Sequence, residues 1–233
     1  MFDLIAFDAD DTLWHNELLY AKAEDKLKTL LASYVDGETV EQRLFETEMG
    51  NLKYYGYGIK SFTLSMIETA IGLTKGQIQG AEVQQIIGFA RDMLTAEVQL
   101  LEHVEETLSE LTQSYQLMMI TKGDLLDQKS KLSRSRLSDY FQVVEVVSDK
   151  TRQTYETLLA KHGIKPQRFL MVGNSLKSDI LPVLAFGGHA VYIPYQTTWA
   201  HEIIDSPPFE HDGYYELEHI GQLPRLVEEL SSS

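Results

Sequence analysis

The sequence predicts an α/β architecture, a parallel sheet whose chain is interrupted by an inserted helical bundle. Three observations carry this expectation. Short continuous apolar runs recur along the chain and suit strands buried on both faces of a sheet. From residue 102 onward these runs alternate with helical segments, which implies parallel pairing through right-handed crossovers. Between residues 16 and 98 only helical patterns occur, with no strand-like run among them.

The first apolar run, Leu4 to Phe7, reads as a buried strand, and it must join the later sheet because a lone strand cannot bury itself. Four amphipathic helices follow. The first uses Leu19, Ala23, Leu27, Leu30 and Tyr34, and the second runs from Glu38 to about Asn51 on Val40, Leu44 and Phe45. Ile59, Phe62, Met66, Ala70 and Leu73 mark the third; Val83, Ile86, Ile87, Ala90, Met93 and Leu94 mark the fourth. Glycine-containing breaks at Asp36-Gly37, Gly56-Tyr57-Gly58 and Lys75-Gly76 separate them, and four such helices in succession read as a small bundle. The alternating part then predicts helix Glu102–Ser114, strand Gln116–Thr121, helix Leu125–Leu132 and strand Gln142–Val147. Helix Thr151–His162, strand Arg168–Val172, helix Leu176–Phe186, strand His189–Ile193 and a closing helix over Ile220–Leu230 complete it. The expected organisation is a core formed by residues 1–15 and 100–233, with residues 16–99 as the insertion.

Composition narrows the class. A chain of 233 residues suits one large domain or one domain with an insertion, at about 150 residues per domain. Its 43% hydrophobic and 24% charged residues describe an ordinary globular chain with enough apolar material for a core. The absence of cysteine excludes disulfides, thiolate metal sites and cysteine nucleophiles. No apolar run approaches the roughly twenty residues of a membrane span, and the first residues lack the basic flank of a signal peptide. The expectation is a cytoplasmic protein, monomeric or homodimeric, with no membrane partner. A net charge of −15 argues against a nucleic-acid surface, which needs clustered Lys and Arg. It leaves room for a small phosphorylated ligand, because a few local cations outweigh the global field inside a cleft.

In a parallel sheet, ligands bind beyond the carboxyl ends of the strands. The first strand ends in Asp8 and Asp10, the second in Thr121-Lys122-Gly123-Asp124. The third runs into Ser148-Asp149-Lys150, and the fourth into Gly173-Asn174-Ser175 with Asp179 one turn further on. Clustered carboxylates behind a buried strand are costly unless a cation neutralises them, and a hard cation with oxygen ligands suits them. Each signal also has a plain reading. Asp-x-Asp-x-Thr serves as a turn or cap, threonines cap helices, a lysine is usually solvated, and Gly-Asn-Ser can merely cap a helix. Lys150, placed in the first turn of a predicted helix, sits where the macrodipole disfavours cations, so an anion is expected beside it. The aromatic stretch Tyr54–Gly58 either faces a ligand or packs a helix junction, with packing the plainer reading. Tyr195 to Glu202 follows the last strand and therefore belongs near the same edge. Arg152 and Lys177 are outer candidates for an anion, with a solvated surface as their default.

Taken in order, these groups resemble the four motifs of the haloacid dehalogenase (HAD) superfamily. Asp8-x-Asp10-x-Thr12 resembles motif one, Thr121 the Ser/Thr of motif two, Lys150 the lysine of motif three, and Gly173-Asn174-Ser175…Asp179 the acidic motif four. The resemblance spans the chain and implies a Rossmann-like core with an inserted helical cap. It also implies a magnesium-dependent phosphatase acting on a small phosphorylated metabolite. Asp8 is then the nucleophile that forms an aspartyl-phosphate, and Asp10 the general acid/base. Thr12, Thr121, Lys122 and Lys150 would bind the phosphoryl oxygens. Mg2+ would be held by Asp8, Asp10 through its backbone carbonyl, and Asn174 or Asp179.

Two departures stand out. Thr151-Arg152 follows the lysine where the superfamily often has prolines. Asn174 stands where motif four often has an acid, which removes a negative charge from the expected metal site. The presence of Asp10 favours phosphoryl transfer over carbon–halogen cleavage, which needs no acid for its leaving group. A phosphomutase, or a catalytically weak binding or regulatory protein on this fold, remains the alternative.

Overall fold

The computed structural model describes residues 2–197, 199–202 and 211–232. The chain forms two compact units, one of Met1–Glu17, Val98–Lys122 and Lys129–Ser233, the other of Leu18–Glu97 and Gly123–Gln128.

The first unit is built on a six-stranded sheet. In chain order its strands are β1 (Leu4–Phe7), β2 (Gln116–Lys122), β3 (Val143–Val147), β4 (Phe169–Gly173), β5 (His189–Tyr192) and β6 (Tyr214–Glu216). They lie in the order β3-β2-β1-β4-β5-β6, and every pairing is parallel. β1 is central, with Ile5 level with Leu117 on one side and Leu170 on the other. Its four residues are all buried, so it can be apolar throughout.

Alternation along the strands assigns the two faces. Ile5, Phe7, Leu117, Met119, Leu170 and Val172 pack with Val104, Leu108 and Leu111 of α5 (Val104–Leu111). Leu132 of α6 (Leu125–Ser135) and Leu223 and Val227 of α9 (Leu223–Ser232) join the same layer. On the other face Leu4, Ala6, Met118, Ile120, Phe169 and Met171 meet Tyr155, Leu158 and Leu159 of α7 (Arg152–His162). Val183 and Leu184 of the short α8 (Leu181–Leu184) complete that layer.

The two chain crossings that frame the insertion lie side by side. The amide of His15 donates to the carbonyl of Gln99 at 3.0 Å, and that of Leu101 to the carbonyl of Leu13 at 3.0 Å. The second unit contains α1 (Glu17–Leu31, from Leu18 on), α2 (Gly37–Tyr55), α3 (Ile59–Leu73) and α4 (Gly80–Thr95). Its core comprises Ala23, Leu27, Leu31, Val40, Leu44, Ile59, Phe62, Met66, Ala70, Ile86, Ala90 and Met93; all but Leu31 belong to the stripes anticipated from helical spacing, whereas Phe45, expected on the second stripe, is exposed. Asp36 caps α2 by accepting from the Thr39 amide at 2.9 Å.

Four local expectations change. Helix α2 continues to Tyr55, and Tyr54 and Tyr55 stand exposed at its end, so they do not pack the junction with α3. Lys150 precedes Thr151, the N-cap of α7, and therefore lies outside the helix's first turn; the macrodipole argument does not apply to it. The segment expected as one helix over Leu176–Phe186 begins with a π-helical turn, Leu176–Ile180. Finally, β6 has no counterpart in the sequence reading. It is three residues long, and only its pairing with β5 makes it a strand.

Ile5 is fully buried at the centre of the sheet. Ile5→Ala is expected to lower the stability of the sheet unit by about 2–5 kcal/mol, the cost of an unfilled core site. Denaturant unfolding, read at the transition of that unit, checks this.

Candidate active site

The carboxyl ends of β1, β2 and β4 and the loop after β3 bring the singled-out residues to one edge. The amide of Asp8 still donates to the carbonyl of Val172 at 2.9 Å, so the sheet ladder holds the backbone that carries its carboxylate. The chain then turns tightly. The amides of Thr12 and Leu13 donate to the carbonyl of Ala9 at 3.3 and 2.8 Å, and Asp11 takes a left-handed conformation with φ 61°. The carboxylate of Asp11 accepts from the amides of Asn16 at 2.8 Å and Glu17 at 3.1 Å, anchoring the entry to α1. Burial raises its pKa to about 7, against the hydrogen bond from Asn16. The Tyr195 hydroxyl lies 2.6 Å from Nδ1 of His15, in the same corner of the unit.

Lys150 organises the centre. Its side chain is 2% exposed, and its ammonium donates to Asp8 Oδ1 and, at 2.6 Å, to Asp179 Oδ1. Burial opposes the charge on Lys150, but Asp179 and Asp8 outweigh it and hold the lysine above its ordinary pKa. Burial pushes the Asp8 carboxyl up to about 7, and Lys150 pulls it down. These two shifts favour different protonation states of one contact. The lysine decides it, because a buried ammonium wedged between two carboxyls needs at least one full negative charge beside it.

Asp179 is delivered by the π-helical turn, a widening of the helix that recurs at functional sites. Its Oδ2 also accepts from the amide of Ser175 at 3.1 Å. Gly173 makes room for it. A Cβ there would stand 2.3 Å from Asp179 Oδ2, closer than any side chain tolerates. Thr12 lies 3.2 Å from both Asp8 Oδ2 and Asn174 Oδ1. One hydroxyl proton cannot serve two acceptors, so one of these oxygens takes no proton from Thr12 and can accept from another group. That fits a hard cation. Asp179 has both oxygens engaged by Lys150 and Ser175, and no cluster of three acids or histidines occurs among the described residues. A cation here would therefore be held by one carboxylate, from Asp8, with the amide oxygen of Asn174 and a backbone carbonyl.

Three of the expected residues have partners outside the Asp8–Lys150–Asp179 group. The Thr121 hydroxyl, 1% exposed, contacts the carbonyl of Lys122 at 3.3 Å. The ammonium of Lys122 donates to Ser178 Oγ at 2.8 Å and Glu202 Oε1 at 2.6 Å. The carboxylate of Asp10 points to Lys131, whose Nζ lies 2.7 and 2.9 Å from its two oxygens, and accepts from Trp14 Nε1 at 2.7 Å.

Sequence reading missed Lys131, and it gave Glu202 a place near this edge but no role. Lys131 had a faint signal, since Asp127, Lys131 and Ser135 follow at four-residue spacing along α6 and are all buried. A polar stripe on a buried helix face needs partners. Glu202 had no signal of its own beyond lying in the stretch Tyr195–Glu202 expected near this edge, because a single glutamate there forms no motif or period; Thr198 of that stretch lies outside the described residues. Its carboxylate accepts from Lys122, from Ser178 Oγ at 2.6 Å and from Ser175 Oγ. Burial would raise its pKa, yet Lys122 and the two serines lower it to about 2. In the same region Lys177 donates to the carbonyl of His201 at 2.8 Å, and Arg152 pairs with Glu156 at 2.8 Å.

The depressed pKa of Glu202 gives a pH signature. Its contribution is present above the unfolded value of 4.5 and is lost as pH falls toward about 2. Wild type is expected to exceed Glu202→Gln in stability by roughly 1–3 kcal/mol at pH 7, with the gap closing between pH 4.5 and 2. Thermal melts of both proteins across that range measure it.

Comparison with known proteins gives the family. Residues 2–187 match the family model of the haloacid dehalogenase-like hydrolases. N-acylneuraminate-9-phosphatase from Rattus norvegicus is 25% identical over 186 residues, covering 76% of this chain and 71% of that protein. The crystal structure of a haloacid dehalogenase-like family hydrolase from Xanthomonas campestris superimposes with a TM-score of 0.89 at 38% identity, covering 99% of this chain and 92% of the other. The putative HAD-hydrolase YfnB from Bacillus subtilis, bound to magnesium, shares the fold at a TM-score of 0.69 and 15% identity, over 97% and 99% of the two chains. The chain belongs to the haloacid dehalogenase-like hydrolases.

Proposed function

We propose that this hydrolase is a magnesium-dependent phosphatase that cleaves a small phosphomonoester through an aspartyl-phosphate on Asp8. The observation that carries the reading is the buried Lys150 held between Asp8 and Asp179, with Thr12 shared by Asp8 and Asn174. It supplies a fixed carboxylate whose second oxygen can face phosphorus, and a cation beside it to draw in an anionic substrate.

Lys150 anchors one oxygen of Asp8 and leaves the other as the attacking atom. As the new bond to phosphorus forms, the bond to the ester oxygen breaks. Asp10 then delivers a proton to the departing oxygen. In the second step Asp10 takes a proton from water, which attacks the aspartyl-phosphate and restores Asp8. Thr12, Lys122, the Thr121 hydroxyl and Lys150 are the group from which contacts to phosphoryl oxygens are drawn. Asp8, Asn174 and the Asp10 carbonyl would hold magnesium, which when bound offsets repulsion between the carboxylate and the phosphate. Asp179 serves by fixing Lys150. Carbon–halogen cleavage would have no use for Asp10.

The inserted helical unit is the proposed cap, the part expected to recognise the alcohol that carries the phosphate. Because the rat relative is an N-acylneuraminate-9-phosphatase, a phosphorylated sugar acid of that kind is the first substrate to test.

Two outcomes are expected. Hydrolysis of an aryl phosphate should require added magnesium and fall by several orders of magnitude in Asp8→Asn, while the variant still folds; metal-independent turnover, or turnover surviving the substitution, removes this assignment. Asn174→Asp adds a negative charge at the proposed cation site and should lower the magnesium Kd roughly tenfold by calorimetry. An unchanged Kd would place the ion away from Asn174.

A further inference from the structure

Beyond the residues of the superfamily motifs, α6 sends one charged side chain into the same edge. We propose that Lys131 is the positioning residue that fixes the carboxylate of Asp10 for proton transfer to the leaving oxygen. The inference rests on the phosphatase reading given above.

The geometry is specific. Lys131 is 5% exposed, and its ammonium contacts Asp10 Oδ1 at 2.7 Å, Asp10 Oδ2 at 2.9 Å and Asn16 Oδ1 at 3.1 Å. An ammonium has three N–H groups, enough to serve these three acceptors. A lysine buried this far is stable only when paired, and Asp10 pairs with it at 2.7 Å. Trp14, fully buried, donates from Nε1 to Asp10 Oδ1 at 2.7 Å. Asp10 is thus gripped from two directions. Lys131 comes from the helix that follows β2, and Trp14 from the turn that carries Asp10 itself. Contact with both oxygens restrains rotation of the carboxylate about its last bond, which a single hydrogen bond would not do.

That restraint matters for an acid. Proton transfer needs the carboxyl within hydrogen-bond reach of the reacting oxygen, in the right orientation. The proton leaves Asp10 for the ester oxygen while the phosphorus–oxygen bond breaks and the Asp8 oxygen–phosphorus bond forms. Lys131 touches no reacting atom in this scheme; it acts through Asp10.

A positioning role is separable from a structural one by the leaving group. 4-Nitrophenolate departs without protonation, whereas an alkoxide leaves only with an acid's help. The experiment compares kcat/KM for 4-nitrophenyl phosphate and for glycerol phosphate in wild type, Asp10→Ala, Lys131→Met and Lys131→Arg. This ratio reports the steps through phosphorylation of Asp8, before the second step begins. Asp10→Ala should lose about 10²–10⁴-fold on the alkyl ester and far less on the aryl ester. Lys131→Met should show the same selectivity with a loss of about tenfold or more on the alkyl ester, and Lys131→Arg should restore part of it. Equal losses on both esters in Lys131→Met, or none, with Asp10→Ala still selective, overturn the proposal and leave the phosphatase reading standing. An unselective Asp10→Ala removes the acid assignment itself and this inference with it. If Lys131→Met does not fold, Lys131→Gln, which keeps a neutral donor of similar reach, is read by the same criteria.

Discussion

A lysine with almost no access to water must be neutralised, and Lys150 meets that requirement with Asp8 and Asp179. Much of the sheet unit's design follows from this pair of contacts. Asp8 must sit at the end of a strand, where the ladder fixes its backbone. Asp179 must approach from the neighbouring strand, which takes a widened helical turn and a glycine at Gly173. Removing one partner of a buried ion pair is strongly destabilising, typically by about 3–5 kcal/mol. The arrangement therefore couples folding to the proposed chemistry: the charge that Asp8 would bring to a reaction is the charge that makes Lys150 tolerable.

Three cationic side chains converge on this edge, and each is committed to different acids. Lys150 serves Asp8 and Asp179, Lys131 serves Asp10, and Lys122 serves Glu202. In a chain with a net charge of −15, such local pairing lets carboxylates be buried without global compensation. It also separates two roles. Asp8 is held by Lys150 from the loop after β3, while Asp10 is held by a helix and by its own turn. In the proposed reaction, a nucleophile and an acid that act on one phosphorus from different directions benefit from independent supports.

The sheet was legible because strands buried on both faces must be apolar throughout, and Leu4–Phe7, Leu117–Ile120 and Phe169–Val172 satisfy that rule. The insertion was legible because four helices with apolar stripes cannot stack without burying those stripes on one another. Of the site, the strand-end groups could be named because a parallel sheet places its ligands there. β6 was hidden, since three residues with two tyrosines and a glutamate carry no periodicity.

The sequence by itself determined which chemistry is available: carboxylates behind a buried strand, a lysine, an amide in place of an acid at Asn174, and no thiol. Tertiary structure alone decided who pairs with whom. Asp10 and Lys131 are 121 residues apart, and Lys122 and Glu202 are separated by 80. Contacts of that range are set by how strands and helices stack, and no local propensity encodes them. The π-helical turn belongs to the same category, because it is the demand of Lys150 and Ser175 on Asp179, rather than any preference of Leu176–Ile180, that gives it a use.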